Sequence, residues 1–298
     1  SAAAAPLELQ SGQCDVVLDG ALAVEADPAL REALSSLEVT QYVQPGQVHE
    51  QIVLNTYTGD SGRPAYFADA RVRQAVAQAV NRAELAESLW GPAVPVMSSW
   101  LPESHWANPG ADRLTSYTMN PEEAARLLGE AGWRDEAGDG VREYHGAGGV
   151  YACNRGEWAL AEGTPLTPQL IIPNGDPLRS RIATRVAEDL GRVSVRVAVQ
   201  AVPVETLYGA EGPLVRRDFD MALLASITRP DPGGVSQWVG AEMFLHPQTF
   251  RPVHRWELEE RWLNTEQMIE RLAYSNIPGR DNAGQGQNYS GWCNEEAN

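Results

Sequence analysis

The chain has 298 residues, 43% of them hydrophobic, with 27 Gly and 20 Pro. That is enough for one large or two small domains with a real core and many turns. Its formal net charge of -17 repels phosphate backbones and anionic membrane surfaces and argues against a nucleic-acid partner. Apart from the histidines every basic side chain is Arg and none is Lys. A P-loop, a kinase strand Lys and a pyridoxal Schiff base are thereby excluded.

No apolar run approaches the ~20 residues that a membrane helix needs. Residues 1–5 are small and apolar with no basic stretch before them, so they do not read as a whole signal peptide. Residues 1–13 read as an edge or hinge-side linker. Residues 14–18, CDVVL, have the look of a short buried strand. Asp27 with Pro28 then opens a helix. Residues 38–44 and 48–55 are strand-like on either side of the turn pair Pro45-Gly46, and the second strand ends at Asn55.

Asp69 starts a helix in which Val72, Ala75, Val76, Ala79 and Val80 recur at helical spacing. Asn81 and Glu84 form a capping box for a second helix reaching Trp90. A Pro- and Trp-rich stretch follows, in which Val96, Trp100, Leu101 and Trp106 are read as anchors of a functional loop. Asn120, Pro121 and Glu123 open a third helix that Gly132 terminates. Residues 135–165 are Gly-rich and acidic, as in a hairpin with an irregular tip. A strand over 166–173, a helix from Asp176-Pro177 to Gly191, an alternating strand in VSVRVAVQAV, a short helix over 204–208 and a buried strand over 218–225 come next. A last helical pattern occupies 256–274. Strands alternating with helices predict an α/β fold with a mixed, largely parallel sheet and flanking helices, one lobe spanning 14–298.

The chemistry-bearing motifs are sparse. Cys14, Cys153 and Cys293 make no CxxC pair and the five His are scattered, so no metal-ligand spacing exists. Asp135, Asp139 and Gly140 fit three positions of a calcium loop, but Ala137 and Gly146 stand where acids belong, which favours a hairpin turn. HGAGGV at 145–150 has no strand-to-helix context for a dinucleotide. Ser61 and Ser290 lack the nucleophile elbow. No catalytic residue, metal or cofactor is expected. The Trp residues in loops, Trp100, Trp106, Trp238 and Trp292, either line a ligand cleft or pin loops to the body.

Taken in order, six segments resemble the peptide/nickel (family 5) extracellular solute-binding proteins. They are SGQCDVVLDG, HEQIVLNT, FADARVRQAVAQAVNRAELAESLWGPAVPVMSSWLP, YTMNPEEAARLLGEAGW, DFDMALLA and NYSGWCNEEAN. The resemblance implies a type II periplasmic-binding-protein-like lobe, extracytoplasmic and membrane-anchored in the full-length protein. It would take up a small solute (a peptide, sugar or related molecule) for an ABC permease, together with a first lobe absent from this sequence. It implies no enzyme. A hydrolase or transferase with paired carboxylates, or a sensor or chaperone module, is the alternative. Because both ends of the chain would lead to that other lobe, the resemblance also makes Cys14 and Cys293 candidate disulfide partners, with Cys153 the competitor. A parallel sheet gathers ligands beyond the carboxyl ends of its strands. If the late strand ends at Ala225, the ligand-binding residues are Ala225, Ser226, Ile227 and Thr228, with Ser99 and Trp100 arriving on the long loop and Trp238 a second aromatic wall. Thr228 falls where peptide-binding members of the family carry the acid that holds a peptide's α-amine, which argues against a free-amine peptide.

Overall fold

The computed structural model describes residues 5–16, 32, 35–36, 40, 46–56, 62–91, 94–99, 101–146, 149–151, 157–209, 211–216, 218–228, 243–245 and 252–254. In chain order the helices are α1 Ala5–Gln10, α2 Ala70–Ala79, α3 Arg82–Trp90, α4 Pro121–Glu130, α5 Pro177–Gly191, α6 Val204–Leu207 and α7 Pro213–Arg216. The strands are β1 Val48–Leu54, β2 Trp133–Arg134, β3 Glu143–Tyr144, β4 Gly149–Tyr151, β5 Glu157–Ala159, β6 Gln169–Pro173, β7 Ala198–Val202, β8 Met221–Ile227, β9 Met243–Leu245 and β10 Pro252–His254. The chain divides into two compact units, residues 1–46 with 82–98, and residues 47–81 with 99–298.

In the first unit, α1 is followed by a turn in which the Gln13 and Cys14 amides both donate to the Glu8 carbonyl. The strand expected over 14–18 does not begin there. Cys14, Asp15 and Val16 carry no strand, and Val16 is exposed. Cys14 is a free thiol that donates to the Val16 carbonyl at 3.0 Å. Cys293, its expected partner, lies outside the described residues, as do Cys153, all but residue 40 of the strand expected over 38–44, and the helix over 256–274. α3 runs as expected to Trp90 and buries Ala86 and Leu89.

The second unit is built on a four-stranded sheet in the order β1-β8-β6-β7. β8–β6 and β6–β7 are parallel and β1–β8 is antiparallel. β6 is the apolar run expected of a strand covered on both faces, with Leu170, Ile171 and Ile172 all buried. β7 is an edge strand with only Val202 buried. It is shorter than the alternation of VSVRVAVQAV predicts, because Ser194 adopts φ 61 in the turn after α5 and the pairing starts at Ala198. One face of the sheet closes over Val53, Ile171, Val202, Ala222 and Leu224 with Leu207 from α6, Leu214 from α7 and Phe219.

The helices start where their caps say. Asp69 accepts from the Arg71 amide at 2.8 Å, Asn120 from the Glu123 amide at 3.0 Å, and Asp176 from the Leu178 and Arg179 amides at 2.9 and 3.2 Å. α5 packs on β6 and β7 through Ile182, Ala183, Val186 and Leu190. α2 packs on α4, and the Asn120 amide donates to the Gln78 carbonyl at 2.8 Å. Gly132 ends α4 at φ 91, and a Cβ there would lie 3.0 Å from Gly146 Cα. Trp133, fully buried beyond that turn, packs between Tyr66 and Tyr144 at ring separations of 5.9 and 5.2 Å.

The Gly-rich stretch forms two small antiparallel ladders, β2–β3 and β4–β5, instead of one long hairpin. Both carboxylate oxygens of Asp135 accept turn amides, from Asp139 at 3.1 Å and Gly140 at 3.0 Å. The residues that resemble a calcium loop are thus hairpin-turn residues. Of the four expected loop anchors, Leu101 is buried, Trp106 and Val96 are exposed, and Trp100 lies outside the described residues. The Trp106 ring stacks on His105 at 5.8 Å.

Candidate ligand-binding edge

The two ends of the β1–β8 pair differ. At the end where β8 begins, Asn55 is fully buried; its amide donates to the Asp220 carbonyl at 2.9 Å and its side chain to the Phe219 carbonyl at 2.8 Å. Asp220, also buried, accepts from the Gln169 amide at 2.8 Å and from Arg63 at 3.2 Å, and Arg63 also donates to Asp218 at 2.5 Å and to the Gln169 side chain at 2.9 Å. Burial outweighs these bonds and raises the Asp220 carboxyl above the ordinary carboxylate range. Burial also works against the Arg63 cation, yet its two aspartates hold it more basic than usual. This end is closed by hydrogen bonds.

The other end is built differently. β8 starts at Met221 and not at residue 218, because Asp218–Asp220 are occupied by the contacts just described. It runs on to Ile227, two residues past the expected end. Ala225, Ser226 and Ile227 are therefore strand residues, facing Glu50, His49 and Val48 of β1. Thr228 follows, buried, its amide donating to the Gln47 carbonyl at 2.8 Å. Backbone groups on the β1 side are thus engaged. On the β6 side the ladder is short. It covers only Leu170–Met221 and Ile171–Ala222. From Leu223 to Ile227 no strand among the described residues pairs with that edge.

Residues opposite one another in an antiparallel pair share a face. His49 and Ser226 share the face of the apolar core, as do Gln51 and Leu224. The Gln51 side chain donates to Ser226 Oγ at 2.8 Å and also bonds His49, and His49 Nδ1 lies 3.4 Å from Thr228 Oγ1. Burial lowers the His49 pKa below its ordinary value, against the opposing pull of Gln51 and Glu50. On the opposite face, Arg179 in the first turn of α5 donates to Glu50 through Nε at 3.0 Å and Nη2 at 2.9 Å. That pairing, burial notwithstanding, holds the guanidinium more basic than usual. Beside it Ile227 and Val48 are exposed, 67% and 60%.

Of the remaining expected site residues, Ser99 is half-buried and accepts from the Leu101 amide at 3.2 Å, closing a local turn. Trp100 and Trp238 lie outside the described residues. His49, Gln51, Glu50 and Arg179 were not singled out by the sequence. The available signal was the strand itself: in HEQIVLN, His49 and Gln51 fall in register with Val53, polar residues continuing a core face.

A mixed α/β lobe with helices on both sides of the sheet has the periplasmic-binding-protein-like architecture. The chain belongs to the bacterial extracellular solute-binding proteins, family 5 Middle, whose profile matches residues 1–242. It is 26% identical over 170 residues to the oligopeptide-binding protein AppA of Bacillus subtilis, covering 56% of this chain and 28% of that one. The fold is that of the oligopeptide-binding protein of Thermus thermophilus, solved with a pentapeptide (TM-score 0.60, 21% identity, 85% of this chain and 35% of that one). NikA of Brucella suis, solved with Fe(III)-EDTA, shares it too (TM-score 0.60, 21% identity, 80% and 42%). The chain therefore spans well under half the length of each of these proteins.

Proposed function

We propose that this chain is the part of an extracytoplasmic solute-binding protein that grips an extended solute along the open edge of β8 and presents it, with another lobe, to an ABC permease. The observation that carries the reading is that β8 outruns its ladder with β6: among the described residues, Leu223–Ile227 has a ladder partner on the β1 side only. An extended amide-bearing ligand gains main-chain hydrogen bonds by lying along such an edge. Ser226, Ile227 and Thr228 form its far end, with Ala225 before them, and Ser99, Trp100 and Trp238 are proposed to complete the wall. Family membership and the peptide-bound relatives support a peptide-like solute.

The end at Thr228 offers no described carboxylate to a ligand ammonium. Glu50 is on the other face and closed on Arg179. An ammonium buried there without a partner carries a heavy desolvation cost. The reading is thus an uncharged or capped solute, a modified peptide or a sugar, in preference to a free-amine dipeptide; no catalysis is part of it. Mass spectrometry of small molecules that co-purify with the protein tests it. Recovery of capped peptides or neutral sugars agrees with the reading. Recovery of free-amine di- and tripeptides alone sinks the ligand class, and a protein that carries and binds no solute sinks the function.

A further inference from the structure

We propose that His49 sets the charge that the proposed ligand edge tolerates, rejecting a cationic ligand end and rejecting it more strongly as the medium becomes acidic. The inference rests on the reading that a solute lies along β8.

Three observations lead to it. The core-side face of the β1–β8 pair ends in four side chains, His49, Gln51, Ser226 and Thr228, bridged across the two strands. Three of them cannot change charge near neutrality, so His49 is the titratable group on that face among the described residues of β1 and β8. The groups that face it are Gln51 on its own strand, Ser226 on β8 and Thr228 just after β8. Glu50 acts on it only through space, from the far side of the sheet, where Arg179 neutralises it. His49 is half-buried, and burial disfavours its cation. At neutral pH the ligand meets an uncharged imidazole. When acid protonates it, a positive charge appears within a few ångströms of Thr228, with no carboxylate facing it among the described residues. A ligand ammonium placed there is repelled; an acetylated end is not.

The test compares tetra-alanine amide with N-acetyl-tetra-alanine amide, titrated calorimetrically into the 298-residue chain at about pH 7.5 and about pH 5, which bracket ordinary imidazole titration. The ratio of the two affinities, acetylated over free, is the readout, because it cancels general effects of acid on the protein. It should rise about threefold or more on acidification of the wild type, as like-charge repulsion requires, and stay flat in His49→Gln, which keeps a hydrogen-bonding side chain without the proton. An NMR titration of the His49 ring in the wild type accompanies it, and must show protonation within the same interval. A ratio that rises equally in His49→Gln, or that does not rise while the ring protonates, overturns the assignment of His49. Failure of both peptides to bind at either pH overturns the strand-ligand reading beneath it.

Discussion

Arg179 and Glu50 are joined by two hydrogen bonds, 2.9 and 3.0 Å long, although one begins a helix and the other lies in an edge strand on the far side of the sheet. The pair pins the entry of α5 to β1 at the end of the sheet where the proposed ligand edge lies. Both side chains are less than a fifth exposed. Removing one leaves the other charge poorly solvated, and that loss weighs more than the pair's own worth. Arg179→Ala should therefore destabilise the protein by about 1–3 kcal/mol, and Glu50→Gln, which keeps an acceptor oxygen, by less. Urea unfolding of the two variants checks the order; equal, negligible losses would show that the contact is ornamental.

Asn55 makes a second prediction. It is 1% exposed and satisfies the Phe219 carbonyl with its side chain. Asn55→Ala deletes that donor and leaves a buried carbonyl without it, which costs about 1–3 kcal/mol. Asn55→Asp places an acceptor against an acceptor and should be worse. Thermal melts of the two variants against the wild type give the ranking, and a melt of Asn55→Asp above that of Asn55→Ala would contradict it.

Asp220 carries a pH signature. Its folded-state pKa is raised by burial above the unfolded value. The native state therefore holds this proton more tightly than the unfolded chain, and the associated stability is present below about pH 3.9, the ordinary carboxyl value. It is lost as the pH rises through the folded value. Asp220→Asn cannot titrate. The stability of the variant relative to the wild type should therefore increase from about pH 3.5 to about pH 7. Chemical denaturation at the two pH values measures that difference of differences; a variant that loses ground on going to neutral pH would mean that the Arg63 ion pair, and not burial, governs this carboxyl.

The contrast between these sites explains what was legible in the sequence. Asp69, Asn120 and Asp176 begin helices because each side chain bonds amides two or three residues away, so the signal is local and readable. The apolar run of β6 is equally direct. The limits of β8 are not. Its start is set by Arg63 and Gln169, and its end by Val48 and Gln47, all distant in the chain. The strand expected over 14–18 is absent from its described part, Cys14 to Val16, where the composition of a strand meets a Val16 left exposed. At the candidate site the sequence led to Ser226, Ile227 and Thr228 because they follow an obvious strand. It missed His49 and Arg179 because their importance comes from partners that only the fold brings near.

Thr228 is the sharpest point at which to change the ligand class. It is buried, follows β8 directly and lies beside His49. Thr228→Asp places a carboxylate at the end of the proposed ligand edge. Burying that charge should cost about 1–3 kcal/mol of stability in the absence of ligand, and the new anion should raise the His49 pKa, since an opposite charge nearby favours the imidazolium. A ligand ammonium would then have the partner it lacks in the wild type. The affinity for tetra-alanine amide should rise by about tenfold or more relative to its N-acetyl form, a factor that corresponds to about 1.4 kcal/mol. Calorimetry near pH 7.5 on a variant whose fold is verified by its melting transition makes the measurement. If the substituted protein melts cooperatively and still prefers neither peptide, the residue at 228 does not face the bound solute, and the ligand lies elsewhere on the lobe.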